Sequence, residues 1–104
     1  MIMSTTPDIQ GKEIKETLGI VRGNTIRARH LGRDITAILK TIIGGEIEDY
    51  TKLMGEAREQ SIDRMKREAE KLGANAVVQV RFSTSYLLGG SAEILVYGTA
   101  VRVE

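Results

Sequence analysis

The segment from Asn75 to Val103 constrains this chain most, because its two strand-like halves carry apolar side chains on both faces. Asn75 to Leu88 and Ser91 to Val103 both read as β, and Gly89-Gly90 between them can supply the positive φ angles of a tight turn, so an antiparallel hairpin is predicted. In the first half Ala76, Val78, Val80, Phe82 and Tyr86 point one way, while Val77 and Leu87 share the other side with Gln79, Arg81, Ser83 and Ser85. In the second, Ile94, Val96 and Ala100 oppose Leu95, Tyr97, Val101 and Val103. A sheet that is oily front and back needs cover on both sides.

The rest of the chain offers cover for one. Two further β-type segments, Ile14 to Val21 and Thr25 to Arg29, flank Arg22-Gly23-Asn24, which suits a turn or a bulge, so a hairpin and one bent strand both fit. Asp34 can cap a short helix running to about Ile43, with Ile35, Ile38, Leu39 and Ile42 on one face and Gly44-Gly45 ending it. A long amphipathic helix follows, marked by Ile47, Tyr50, Met54, Ala57, Ser61, Met65, Ala69 and Leu72 at three- and four-residue steps. Its other face is charged, with Glu48/Lys52 and Asp63/Arg67 in the favourable acid-first order, and Gly73 suits the left-handed residue that closes a helix. Glu46, Glu48 and Asp49 sit at the positive end of the helix dipole, which explains them better than a hard-cation site does.

The predicted fold class is therefore α+β. One domain spans residues 1–104 behind a polar leader at 1–10, with element order β-α-α-β-β and an antiparallel sheet packed by one long and one short helix. Two helices shield a single side, leaving the second apolar side and the edge strands unpartnered. At roughly 25 cal/mol per Å² of apolar surface, a few hundred Å² hidden at a subunit contact would rival the stability of a small domain. A homo-oligomer joined through its sheet is expected.

Charge and composition narrow the partners further. Fifteen basic residues against fourteen acidic ones leave a formal net charge of +1, with one Phe, three Tyr and no Trp, so neither nucleic acid nor an anionic membrane is indicated. The start lacks the basic and apolar regions of a signal peptide, and Ile35 to Ile43 is broken by Lys40 and far short of the roughly 20 residues of a spanning helix. A cytoplasmic location is the expectation. With no cysteine, disulfides, thiolate zinc sites and cysteine nucleophiles are excluded.

Candidate sites are sparse. Arg22, Arg27, Arg29 and Arg33 form a basic run with no acid between Glu16 and Asp34. Arg27 and Arg29 on one strand face could grip a phosphate or carboxylate, although pairing with the acidic helix face of another subunit is the plainer role. Gln79, Arg81, Ser83 and Tyr97 are the other candidate ligand-lining groups. His30 and Asp34, four apart, are the candidate metal ligands, but two are too few for a structural site, and a capping or surface histidine explains the pattern as well.

Catalysis is not expected. Ser83, Ser85 and Tyr86 have no predicted base beside them, and neither a G-x-S-x-G elbow nor a P-loop is present. Gly89-Gly90 precedes a strand and not a helix, and Met54 and Met65 fall on the helix's apolar stripe as core filler.

In order along the chain, Ser4-Thr5-Thr6-Pro7, Arg33-Asp34, Gly44-Gly45, Tyr50, Ala57-Arg58-Glu59, Leu72-Gly73-Ala74-Asn75-Ala76-Val77-Val78 and Gly98-Thr99-Ala100-Val101 resemble the YbjQ family of bacteria and archaea, over essentially the whole length. The resemblance implies a small subunit similar in outline to dodecin-like proteins, its strands joining around a ring or barrel, as a homopentamer. It also implies heavy-metal binding, and brings no catalytic residues. A divalent metal ion is the cofactor it suggests, held by carboxylates, backbone or residues repeated around an oligomer axis. The expected function is a ring-forming binding module that holds a small ligand or metal ion at subunit contacts. A ligand-free interaction scaffold and, last, a metal-assisted enzyme are the alternatives.

Overall fold

A computed structural model describes residues 1–28, 48–86 and 91–104. The short helix expected from Asp34 to about Ile43, its Gly44-Gly45 stop and the Gly89-Gly90 turn lie outside the described residues. Among the described residues four strands, β1 (Ile2–Met3), β2 (Ile14–Ala28), β3 (Ala76–Tyr86) and β4 (Ser91–Val103), and one helix, α1 (Glu48–Lys71), make an α+β fold. The sheet order is β1-β3-β4-β2. β3 and β4 pair antiparallel from Ala76 opposite Val101 to Tyr86 opposite Ala92, as the hairpin pattern predicts. No helix among the described residues is long and apolar enough to cross a membrane.

Helix α1 matches its sequence pattern closely. Ala57, Ser61, Met65 and Ala69 are buried, and Asp63 and Arg67 form the expected ion pair at 2.9 Å. The end of the helix is a Schellman motif, in which the Ala74 amide donates to Ala69 O at 3.0 Å and the Gly73 amide to Glu70 O at 3.0 Å. Gly73 carries the required left-handed φ of 84°. Leu72 is the departure, being half exposed where the stripe predicted burial, because it sits beyond the last helical turn.

Arg22-Gly23-Asn24 is neither a turn nor a hairpin loop. β2 runs through it as one long strand against β4, with its register irregularities earlier, between Ile14 and Glu16 and between Thr17 and Gly19. Gly23 serves a different purpose, since a Cβ there would lie 2.1 Å from Ser61 O and 2.5 Å from Met65 N. Only a residue without a side chain lets α1 approach β2 this closely. Beside it the buried Ser61 hydroxyl lies 2.8 Å from Thr25 Oγ1, 2.9 Å from Ala57 O and 3.0 Å from Ile94 O, joining helix to two strands. One proton cannot serve all three, so Ser61 donates to a carbonyl and accepts from Thr25.

Two further expectations need correction. The leader at 1–10 is not merely polar, because β1 pairs parallel with β3, Ile2 opposite Ala76, making the sheet mixed and not purely antiparallel. Ser4 N to Val77 O at 2.9 Å, Val80 N to Ser4 O at 3.0 Å and Gln79 N to Thr6 O at 3.1 Å extend that attachment. The faces of β3 also change, because a register shift falls between Val78 and Arg81 and Gln79 adopts φ 56°. This bulge inserts one extra residue, so Val77 and Val80 end on the same side and Ala76 and Val78 on the other.

Two cores result. Val77 and Val80 join Val21, Met65, Ala69, Val96 and Ala100 beneath the helix, flanked by Leu18, Ile62 and Ala74. Ala76 and Val78 join Val101 and Val103 on the opposite face, where Ile9 of the leader and Ile14 cover them. Asn75 closes this end of the sheet by acting as a substitute strand residue, donating from Nδ2 to Val103 O at 2.9 Å and accepting the Val103 amide at Oδ1 at 2.8 Å.

Candidate functional site

The face of the sheet away from α1 gathers most of the ligand-lining residues expected from sequence. Tyr97 on β4 stands opposite Arg81 on β3 and Arg22 on β2, and Ser83 lies one pair further along opposite Leu95. Strand alternation puts these groups on one surface. Arg81 is already engaged, however. It donates to Thr5 O and Val80 O at 2.9 Å each and to Gln79 Oε1 at 3.1 Å, fastening the leader across the bulge. Gln79 and Arg81 thus work as a structural clamp, and Ser83 and Tyr97 remain exposed polar groups beside it.

Arg27 is not part of that group. It lies opposite the buried Ala92 on the helix side, where its Nη2 donates to Gln60 Oε1 at 2.7 Å. Its Nε is buried with no hydrogen-bond partner among the described residues. Arg29, His30 and Asp34 lie outside the described residues. Among the described residues no three His, Cys, Asp or Glu side chains come together as a metal site.

Sequence reasoning missed two concave places. At the free edge of β2, a groove of about 250 Å³ runs between strand and helix, lined by Arg22, Asn24, Arg64, Arg67, Glu68 and Lys71. Arg64, Arg67 and Lys71 recur at three- and four-residue steps, the spacing that places cations on one helix face and could have exposed the groove beforehand. A second cleft, of about 430 Å³, opens where the first turns of α1 stand off from the sheet, between Met54 and Arg58 on one side and Phe82, Thr84 and Tyr86 on the other. Phe82 is 46 % exposed and Tyr86 75 % exposed, so this apolar wall is unfinished.

A UPF0145 protein of Methanosarcina acetivorans is 56% identical over 103 residues, covering 99% of this chain and 97% of its own. Another, from Thermosipho melanesiensis, is 59% identical over 103 residues, covering 99% and 95%. Among solved structures, a DUF74-family protein from Pediococcus pentosaceus matches with a TM-score of 0.64 at 17% identity, covering 100% of this chain and 98% of that one, which establishes likeness of fold. A family model, YbjQ, described as "Putative heavy-metal-binding", matches residues 1–104. With relatives this similar along the whole length, the chain belongs to the YbjQ family.

Proposed function

We propose that this protein is the repeating subunit of a closed homo-oligomer, a homopentamer in the form the family resemblance implies, and that the assembly is a binding module holding a small ligand at subunit contacts. The observation that carries this reading is the off-centre seat of the helix. α1 packs chiefly on β2, less on β4 and scarcely on β3. It therefore overhangs the β2 edge and leaves Phe82 and Tyr86 bare on the same face.

The two sheet edges are complementary in the same sense. β2, fifteen residues long, is one free edge and exposes Ile20 at 79 % and Ile26 at 57 %. On the other edge the leader occupies β3 only as far as Val80, so among the described residues Arg81 to Tyr86 have no strand beside them on that side. A neighbour's β2 added there would bring its overhanging helix over Phe82 and Tyr86. Because the two edges differ, such contacts run head to tail and close into a ring under rotational symmetry. The elongation of the single chain agrees, since its Cα radius of gyration is 17.1 Å where a compact chain of this length has about 13 Å.

Native mass spectrometry on protein purified from cells, combined with elemental analysis, tests both halves. The expected spectrum is a single multiple of 11.5 kDa, with added mass from a co-purifying small molecule or metal. A multiple without added mass leaves a bare scaffold and removes the ligand, whereas an 11.5 kDa species alone removes the ring.

A metal reading draws on the family description. His30 and Asp34, repeated around a ring axis, are the residues that would supply it. Bound metal that persists in a His30→Ala variant would remove that assignment.

A further inference from the structure

We infer that the cleft beside Arg58 is completed by a second copy of this chain, whose Glu56 pairs with Arg58 across the subunit contact. The inference rests on the ring proposed above and names the charges that fasten it. Arg58 lines the cleft with Met54, Phe82, Thr84 and Tyr86, none of them acidic. The residues one helical turn away from it, Met54, Gly55, Ser61 and Ile62, are uncharged too, unlike Arg67 with its Asp63. Arg58 forms no ion pair with any described residue. A cation beside exposed aromatic rings, with no acid of its own, calls for one from outside the chain.

The opposite flank of α1 carries such an acid. Gln60 accepts from Arg27 of β2 at 2.7 Å, which marks the flank that overhangs the free edge, and Glu56 lies one turn earlier on it. Glu56 is exposed and forms no ion pair with any described residue. Two residues apart, Glu56 and Arg58 point about 200° from each other and differ by about 3 Å along the helix axis, so one chain cannot bring them together. A rotated copy can. β4 is antiparallel to both β2 and β3, so β2 and β3 run the same way, and a neighbour in a ring lays its β2 parallel to β3 with its helix alongside α1. Three strands at about 4.8 Å each then separate neighbouring helices by about 14 Å. Helices in direct contact stand about 8–10 Å apart, so a strip of sheet floored by Phe82 and Tyr86 stays open between them and is spanned by long side chains from its two banks. Arg58 reaches from one bank and Glu56 of the partner subunit from the other.

Cross-linking tests the pairing directly, since the chain holds no cysteine. A variant carrying both Glu56→Cys and Arg58→Cys, treated with a short bismaleimide, is expected to give a ladder of covalent multimers, and either substitution alone none. In sedimentation at low ionic strength, Arg58→Glu and Glu56→Arg should each raise the dissociation constant of the assembly at least tenfold. The two reversals combined should restore it to within about threefold of the parent, and Glu59→Arg, exposed and turned away from both banks, should change it less than twofold. An oligomer that gives no ladder, or charge reversals without loss or without rescue, refutes the pairing and leaves the ring standing. A parent protein that is only a monomer refutes the ring and the pairing with it.

Discussion

The two ends of the sheet are built from the same strands and finished differently. At the leader end, Ala76, Val77, Val78, Val101 and Val103 are all at most 4 % exposed, because α1 lies on one side and Ile9 and Ile14 on the other. At the hairpin end, Phe82, Tyr86 and Ile26 are roughly half exposed or more, along with Ile20 on the free edge. The leader end resembles the interior of a self-sufficient domain, with small aliphatic side chains and paired backbone. The other end presents the larger side chains and, among the described residues, two open edges, the surface that the proposed assembly would cover.

That contrast can be broken most severely from beneath the helix. Met65 is fully buried among Val21, Val77 and Val96, and Met65→Ala should cost about 2–5 kcal/mol in chemical denaturation, through lost apolar contact and the cavity left behind. Gly23→Ala should follow at about 1–3 kcal/mol, because its methyl would meet helix backbone that cannot yield as a flexible side chain would. A loss below about 0.5 kcal/mol for either would show that the helix is not seated as described.

Substitution at the hairpin end should act on assembly. Tyr86→Ser is expected to leave the far-ultraviolet circular dichroism spectrum intact while lowering the concentration-dependent midpoint of thermal unfolding at any given protein concentration, as mass action requires when a subunit contact weakens. A midpoint independent of concentration in both proteins would place the stabilising contacts within one chain. The smallest effect belongs to the bulge. Gln79→Gly relieves a left-handed backbone and should gain no more than about 1 kcal/mol, offset by the lost bond from Arg81 and by the greater freedom of glycine when unfolded.

What could be read from the sequence depended on how local its cause was. The long helix, its glycine cap and its Asp63–Arg67 pair follow from spacing within one turn, and the structure reproduces them. Gly23 fits both a hairpin and a single strand because glycine marks a turn and a close approach equally well, and only the position of Ser61 and Met65 decides for the strand. The faces of β3 slipped because the Gln79 bulge exists to meet a leader more than seventy residues away, a partnership no short window contains. Of the candidate site, Arg81 and Tyr97 are cross-strand partners, but the clamp on Thr5 that occupies Arg81 is invisible to a short window for the same reason. The cationic groove was divided between a strand and a helix, and each half alone read as ordinary surface charge.

Sedimentation equilibrium at micromolar concentration bears most directly on the central claim that the bare end of the sheet is closed by further copies. The prediction is one species whose mass is a whole multiple of 11.5 kDa, with Tyr86→Ser dissociating at concentrations where the parent protein stays assembled. A folded 11.5 kDa monomer across that range would contradict it.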